Sequence, residues 1–149
     1  KGFETETTKT EIYQTGDFCA YLNKNAVRTF EFINNNFAEK RFLLIDARPA
    51  NRFKSNAPEP REGLRSGTIP NSINIPFDSV LENGKFKTKN KLITLFNNSV
   101  VNNLPLIFSC GSGVTACIVL LASELVLEND KSIYDGSWTE WAEKYPIQH

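Results

Sequence analysis

One stretch of the chain decides the fold: Leu104-Pro-Leu-Ile-Phe-Ser-Cys110-Gly-Ser-Gly-Val-Thr115, followed by an apolar run to about Leu127. Residues 104–109 form a short apolar run typical of a buried parallel strand, and the segment after Thr115 has the length and composition of an apolar helix. A strand, a glycine-containing loop and a helix, in that order, form the βα unit of a parallel sheet. The stretch therefore predicts an α/β fold with Cys110 at the carboxyl end of a central strand.

The rest of the chain continues this alternation. A second apolar run, residues 41–46, ends in the carboxylate of Asp46 and predicts another buried strand. Residues 55–72 are rich in Gly and Pro and predict a long loop, which inside a compact domain is usually functional. The remaining predicted elements are short strands at residues 11–15, 72–75 and 132–134, helices at 88–98 and 138–144, and one long or two short helices between Phe18 and Ile33.

Length and composition indicate one domain. The chain has 149 residues, 40% of them hydrophobic, which suffices for one ordinary core and not for two. Residues 1–10 lack apolar periodicity and predict a linker or extension, so the domain is expected at residues 11–149. Because the chain contains no methionine, we also expect a segment before Lys1. The predicted architecture is a mainly parallel central sheet with helices on both faces.

Charge and hydropathy argue against two classes of partner. The 17 basic residues balance 17 acidic ones, so no net field attracts nucleic acid or an anionic membrane surface. No apolar run approaches the about 18 residues of a membrane span. Cys19, Cys110 and Cys117 form no even set and are predicted to be free thiols in a reducing compartment. Small molecules and other proteins are therefore the expected partners.

Cys110 heads a loop suited to binding an anion. Where a strand meets a helix N-terminus, the backbone N–H groups of residues 111–115 can converge on one anionic atom. The same donors and the helix dipole favour the thiolate of Cys110, which is the nucleophilic form of a cysteine. Gly111 and Gly113 suit a tight turn that approaches the bound anion closely. The alternative interpretation is a plain connecting turn in which Cys110 is a small buried residue.

The hexapeptide CGSGVT, residues 110–115, resembles the active-site loop of mercaptopyruvate sulfurtransferases in the rhodanese family. The resemblance extends from about Phe42 to Tyr145. Asp46-Ala-Arg48 is similar to the family's strand-end motif, and residues 63–76 are similar to its loop into the next strand. Tyr134-Asp-Gly-Ser-Trp138 is similar to the family's signature near the C-terminus. This resemblance implies a rhodanese-like fold and the catalytic, C-terminal domain of a two-domain sulfurtransferase, with the N-terminal rhodanese domain absent from this chain.

The resemblance also implies an activity. Cys110 would take sulfur from 3-mercaptopyruvate or thiosulfate and hold it as a persulfide, and a thiol acceptor such as thioredoxin or a sulfur-relay protein would remove it. Neither a metal nor an organic cofactor is needed. In this family, basic residues after the cysteine go with thiosulfate, and a neutral Gly-Ser-Gly loop, as in this chain, goes with 3-mercaptopyruvate. The expected location is the cytoplasm or the mitochondrion.

The resemblance implies further site residues. Arg52 and Arg61 match the family's two substrate-binding arginines, although a solvated surface charge is the usual role of a loop arginine. Ser112 matches a loop serine proposed to act in a relay whose histidine and aspartate belong to the other domain. The only histidine of this chain is His149, so either an absent N-terminal domain supplies the imidazole or the isolated domain works poorly. The predicted substrate-binding set also includes the loop residues Gly111, Gly113, Val114 and Thr115. The Thr115 hydroxyl is expected either to join the anion cradle or to be an ordinary helix cap.

Several neighbouring residues are predicted to be structural. Arg48 is assigned to an ion pair, and Asp46 to hydrogen bonds that fix the loop after its strand. Cys117 lies among apolar residues of the predicted helix and is expected in the core. Trp138 and Trp141 are expected to pack the last helix, with Trp138 close to the pocket.

Two other functions are considered. A cysteine phosphatase shares this arrangement of cysteine and loop, but it requires a guanidinium where this chain has Ala116. A non-catalytic or sulfur-relay rhodanese module that binds a protein partner is the second alternative, and the presence of Cys110 argues against a purely structural version.

Overall fold

A five-stranded parallel sheet forms the centre of the computed structural model, which describes residues 16–100 and 103–145. Its strands are β1 (Val27–Arg28), β2 (Leu43–Asp46), β3 (Ser72–Asn74), β6 (Leu106–Ser109) and β7 (Lys131–Tyr134), in the order β1-β7-β6-β2-β3. All four pairings are parallel, with Asp46 opposite both Asn74 and Ser109. The carboxyl ends of β2 and β6 therefore lie side by side.

Helices cover both faces of this sheet, as predicted. Alternate residues of each strand point to opposite faces, so Leu44 and Ile107 enter one core while Ile45 and Phe108 enter the other. Because both faces are covered, the two central strands are apolar without interruption. The helices are α1 (Phe30–Asn36), α2 (Ala50–Phe53), α3 (Lys89–Asn97), α4 (Val114–Glu124) and α5 (Ser137–Lys144), with a hairpin of β4 (Leu81–Glu82) and β5 (Lys85–Phe86) before α3.

Each core joins the sheet to a different pair of helices. On one face, α1 and α5 contribute Ile33, Trp138 and Trp141, which are at most 1% exposed. On the other face, α3 and α4 pack through apolar side chains, and the 3-10 turn Phe77–Val80 contributes Val80. Both tryptophans pack as expected from the sequence. None of the helices in the described ranges is long and apolar enough to cross a membrane.

The prediction of helix from Phe18 to Ile33 was wrong in its first half. Residues 16–23 are irregular, and Phe18 and Tyr21 are exposed. The side chain of Asn23 accepts a hydrogen bond from the backbone N–H of Asn25 (3.0 Å), which favours a 3-10 turn over a longer helix. The chain then pairs as β1 with β7, a long-range interaction that local spacing does not encode. The linker and strand predicted within residues 1–15 lie outside the described residues.

Candidate active site

Cys110 lies at the end of β6 and is 2% exposed. Its backbone N–H donates a hydrogen bond to the Ser137 hydroxyl oxygen (3.0 Å), and that hydroxyl donates to the carbonyl oxygen of Tyr134 (2.8 Å). The carbonyl oxygen of Cys110 accepts from the backbone N–H of Trp138 (3.0 Å). The start of α5 therefore fixes the backbone of Cys110 on both sides.

The loop after Cys110 turns its carbonyl groups toward α5. The carbonyl oxygen of Gly111 accepts from both the backbone N–H (3.0 Å) and the hydroxyl (2.7 Å) of Thr139. Gly113 has a φ of 84°, and a Cβ atom there would lie 2.8 Å from the Asp135 carboxylate oxygen, so this position requires glycine. No group among the described residues accepts a hydrogen bond from the N–H groups of residues 111–115. These unpaired donors at the N-terminus of α4 are the arrangement that an anion cradle requires.

A cleft of about 390 Å³ opens over this loop. The long segment between α2 and β3 forms one of its walls, and the loop and α5 form the others. The cleft brings the predicted arginines together with Cys110, while Gly113 is buried behind the loop against Asp135. Its lining residues are Arg52, Glu59, Pro60, Arg61, Leu64, Cys110, Gly111, Ser112, Val114, Thr115 and Thr139.

A buried network of charges supports the wall of the cleft. The Arg48 guanidinium donates to both carboxylate oxygens of Asp46 (2.7 to 3.1 Å) and to one oxygen of Glu59 (2.8 Å), and all three side chains are 1% exposed. The backbone N–H of Arg48 also donates to Asp46 (2.8 Å). Burial raises the pKa of the Asp46 carboxyl, and the hydrogen bonds from Arg48 oppose that rise. The structural assignments of Arg48 and Asp46 are thus confirmed.

The two predicted substrate-binding arginines differ in their surroundings. Arg52 pairs through Nη2 with the second oxygen of Glu59, and the same nitrogen would lie 3.0 Å from a Cβ atom on Gly111. Its Nε atom is buried without a hydrogen-bond partner. Arg61 lies at the rim, where its side chain is 62% exposed and its Nη1 atom pairs with Glu143 (2.8 Å). Arg52 is therefore held against the loop, whereas Arg61 is a surface ion pair beside the cleft.

Comparison with known proteins assigns the family. Residues 29–144 match the family described as rhodanese-like domain. This chain belongs to the rhodanese family. The matched range includes the whole sheet from β2 onward, the cysteine loop and α5, so the family assignment covers every residue of the cleft.

Named relatives of this rhodanese domain are sulfurtransferases. It is 41% identical to rat 3-mercaptopyruvate sulfurtransferase over 138 residues, covering 91% of this chain and 46% of the relative. It is 40% identical to chicken thiosulfate sulfurtransferase over 134 residues, covering 89% and 46%. The solved structure of the yeast mitochondrial complex I sub-stoichiometric sulfur transferase subunit superposes with a TM-score of 0.77 at 38% identity, covering 84% and 45%. The chain thus spans about half the length of the curated relatives it matches, for example 46% of the rat enzyme.

Ser112 is the residue predicted to act in a relay with a histidine. Ser112 is exposed at the mouth of the cleft, and its hydroxyl makes no hydrogen bond within the described ranges. No histidine occurs in the part of the rhodanese domain that the structure describes, and His149 lies outside it. Ser112 therefore lines the cleft without an imidazole beside it among the described residues.

The expectation that Cys117 is a core residue was wrong, because Cys117 is exposed. Helix α4 is apolar on nearly all sides, so its composition does not reveal which face is buried. Ala116 and Val119 enter the core, whereas Val114 is 71% and Leu121 53% exposed. Trp138 is buried beneath Arg48, 4.8 Å from its guanidinium, and does not line the cleft.

Three residues that hold the site were missed from the sequence. Ser137 fixes Cys110, Thr139 fixes Gly111, and Glu59 joins the two arginines of the wall. Ser137 and Thr139 follow Asp135-Gly136, and the turn signal before α5 is the only local indication of their position. Glu59 carries no such signal.

Proposed function

We propose that this domain is a sulfurtransferase that moves sulfur from 3-mercaptopyruvate or thiosulfate, through a persulfide on Cys110, to a thiol or other acceptor. One observation carries the proposal: Cys110 lies at the floor of a cleft that Arg52 also lines, and the N–H groups of residues 111–115 after it have no acceptor among the described residues. Such donors stabilise both a thiolate and an anionic donor. The names of the relatives support the same activity.

The reaction with 3-mercaptopyruvate needs no outside oxidant or reductant. The Cys110 thiolate attacks the thiol sulfur of the donor, a sulfur–sulfur bond forms and the donor's carbon–sulfur bond breaks. The electron pair of that bond goes to the leaving enolate, which takes the thiol proton to become pyruvate. Cys110 is left as a persulfide anion within the loop. An acceptor thiolate then attacks the outer sulfur and releases the Cys110 thiolate.

The residues of the cleft have different roles in the proposed reaction. Arg52 and Arg61 bind the carboxylate and keto oxygen of the donor, because a guanidinium can contact two oxygens at once. The N–H groups of Gly111, Gly113, Val114 and Thr115 stabilise the charge on sulfur. Ser112 lies at the mouth, where a residue of a second domain could activate it.

The partners follow from the same proposal. The remaining half of the relatives' length leaves room for an N-terminal rhodanese domain, which would supply an imidazole for Ser112, since no histidine occurs among the described residues. Sulfur acceptors are thiols, such as thioredoxin or a sulfur-relay protein. We propose the cytoplasm or the mitochondrion as the location, and the yeast relative is mitochondrial.

The alternatives are less well supported. A phosphatase needs an arginine at the end of the loop, and Ala116 is fully buried in the core at that position. A non-catalytic partner-binding module would not need a cysteine among unpaired donors at the floor of a cleft.

A mass measurement tests the proposed function. The domain is incubated with 3-mercaptopyruvate or with thiosulfate, and the mass of the peptide that contains Cys110 is followed over time. We expect a gain of one sulfur atom that a reducing thiol reverses. If neither donor adds sulfur to Cys110, the proposed function is wrong.

We predict that Arg52→Ala slows persulfide formation from 3-mercaptopyruvate by about tenfold to hundredfold, because it removes a charge-assisted hydrogen bond of about 1.5–3 kcal/mol. Arg61→Ala should act less, since Arg61 must give up Glu143 to reach the donor. Lysine at position 52 should rescue only in part. The readout is the second-order rate constant of persulfide formation, with a thermal melt of each variant. An Arg52→Ala variant as fast as the wild type would remove Arg52 from the site.

We predict that basic residues in the loop shift the donor preference toward thiosulfate. Ser112→Lys adds a positive charge at the mouth of the cleft. Thiosulfate, a dianion, gains more from that charge than the monoanion 3-mercaptopyruvate does. Arginine at position 111 would in addition press on Arg52, whose Nη2 atom would lie 3.0 Å from the new Cβ. The ratio of the rate constants for thiosulfate and 3-mercaptopyruvate is measured for Ser112→Lys and for the double variant Gly111→Arg with Ser112→Lys. An unchanged ratio would show that the loop does not select the donor.

A further inference from the structure

Glu59 is a buried carboxylate in the wall of the cleft. Its side chain is 1% exposed, and each of its two oxygens pairs with a different arginine. One oxygen accepts from Arg48 Nη1 (2.8 Å) and the other from Arg52 Nη2. Glu59 therefore joins the structural arginine of the wall to the arginine that faces Cys110.

Glu59 is the only side chain that holds the Arg52 guanidinium among the described residues. The backbone N–H of Arg52 donates to the Asn51 side chain (2.9 Å), but that contact fixes the main chain. The Nη2 atom of the guanidinium both pairs with Glu59 and lies against Gly111 of the cysteine loop. Its Nη2 atom makes the only hydrogen bond of the guanidinium among the described residues, so Nη1 remains as a donor for a bound anion.

Glu59 itself is held rigidly. Arg48, its other partner, donates to both oxygens of Asp46 at the end of β2 and to the carbonyl oxygen of Gly67 (2.8 Å). The Arg48 guanidinium also lies 4.8 Å from the centre of the Trp138 ring. A continuous buried chain of ionic contacts thus runs from β2 to the cleft, and it fixes the position of Glu59.

We propose that Glu59 is a positioning residue for sulfur transfer, which holds the Arg52 guanidinium over the Cys110 loop before the donor arrives. The inference rests on the proposed function. Arginine has many rotamers, and an arginine that is ordered in advance loses less freedom when it binds the donor. Both carboxylate oxygens of Glu59 are already paired with arginines, so its effect on sulfur transfer is expected to pass through Arg52.

A double-mutant cycle tests this role. The second-order rate constant of Cys110 persulfide formation is measured for the wild type, Glu59→Gln, Arg52→Ala and the double variant. We expect Glu59→Gln to lower the rate constant by about tenfold in the wild type and by less than about twofold when Arg52 is already alanine. A merely structural role of Glu59 would lower the rate by the same factor in both backgrounds.

Two further variants complete the experiment. Glu62→Gln removes the same charge from an exposed position three residues away, outside the cleft lining, and should react at the wild-type rate. If Glu59→Gln does not fold, Glu59→Asp replaces it, because aspartate keeps the charge but withdraws it from Arg52 by about 1.5 Å. The same tenfold loss and the same non-additivity are expected.

The outcomes separate the two proposals. A wild type that gains no sulfur from either donor overturns the proposed function and this inference with it. The positioning role alone is overturned if the wild type is active and the losses in rate constant of the Glu59 and Arg52 variants multiply in the double variant. It is also overturned if the Glu59 variants react at the wild-type rate.

Discussion

Replacing Cys110 with serine is expected to abolish sulfur transfer from both donors and to leave the domain folded. The substitution removes the only group in the cleft that can form a persulfide, and a hydroxyl is too weakly acidic to replace it as nucleophile. The side chain changes little in volume, but a buried hydroxyl without a partner costs about 1–3 kcal/mol. The measurement combines the mass of the Cys110 peptide with a thermal melt, and the expected result is no added sulfur with a modestly lower melting temperature.

Cys117→Ser is the matched control for this prediction. Cys117 is one of the three free thiols, but it is exposed on α4 and does not line the cleft. Its serine variant should take up sulfur at the wild-type rate. Transfer that survives in Cys110→Ser and disappears in Cys117→Ser would mean that the nucleophile is wrongly assigned.

The central strands and the cysteine loop could be predicted because their signals are local. Residues 106–109 are all buried, since helices cover both faces of the sheet, and this burial gives an apolar run without alternation. The loop that follows has glycine at position 113, where the backbone needs a positive φ and Asp135 leaves no room for a Cβ atom. The apolar run and the glycines stand next to one another in the sequence, so they leave a readable pattern, although the packing that requires them involves Asp135 and distant helices.

The contacts of the wall could not be predicted, because no local pattern shows how the loop after α2 folds back on Arg48 and Arg52, although these arginines lie only 11 and 7 residues from Glu59. Glu59 stands between two prolines, a setting that indicates an exposed loop. Its burial depends on Arg48, just after β2, and on Arg52, in α2, which pair with its two oxygens. The same limit explains the error at Phe18, since the pairing of β1 with β7 ends the helical spacing. It also explains Cys117, whose helix is apolar on its exposed face as well.

Arg48 links the stability of the domain to the geometry of the cleft. Its side chain is 1% exposed, and its guanidinium donates to two buried carboxylates and to the carbonyl oxygen of Gly67. Loss of this one cation would leave Asp46 and Glu59 as buried charges with fewer partners. A buried charge without its partner is much more costly than a surface charge without one, because water cannot replace the lost contacts.

We therefore predict that Arg48→Ala lowers the free energy of unfolding by about 3–5 kcal/mol, a large part of the total for a domain of this size. Urea denaturation followed by tryptophan fluorescence measures the change, and Trp138 beneath the guanidinium makes the signal sensitive to this region. The matched control is Arg41→Ala, which removes an arginine whose ion pair with Glu39 is at the surface, with side chains 72% and 50% exposed. That variant should lose no more than about 1 kcal/mol. Equal losses in the two variants would mean that the buried chain from Asp46 to Glu59 does not stabilise the wall, and that the position of Arg52 has another cause.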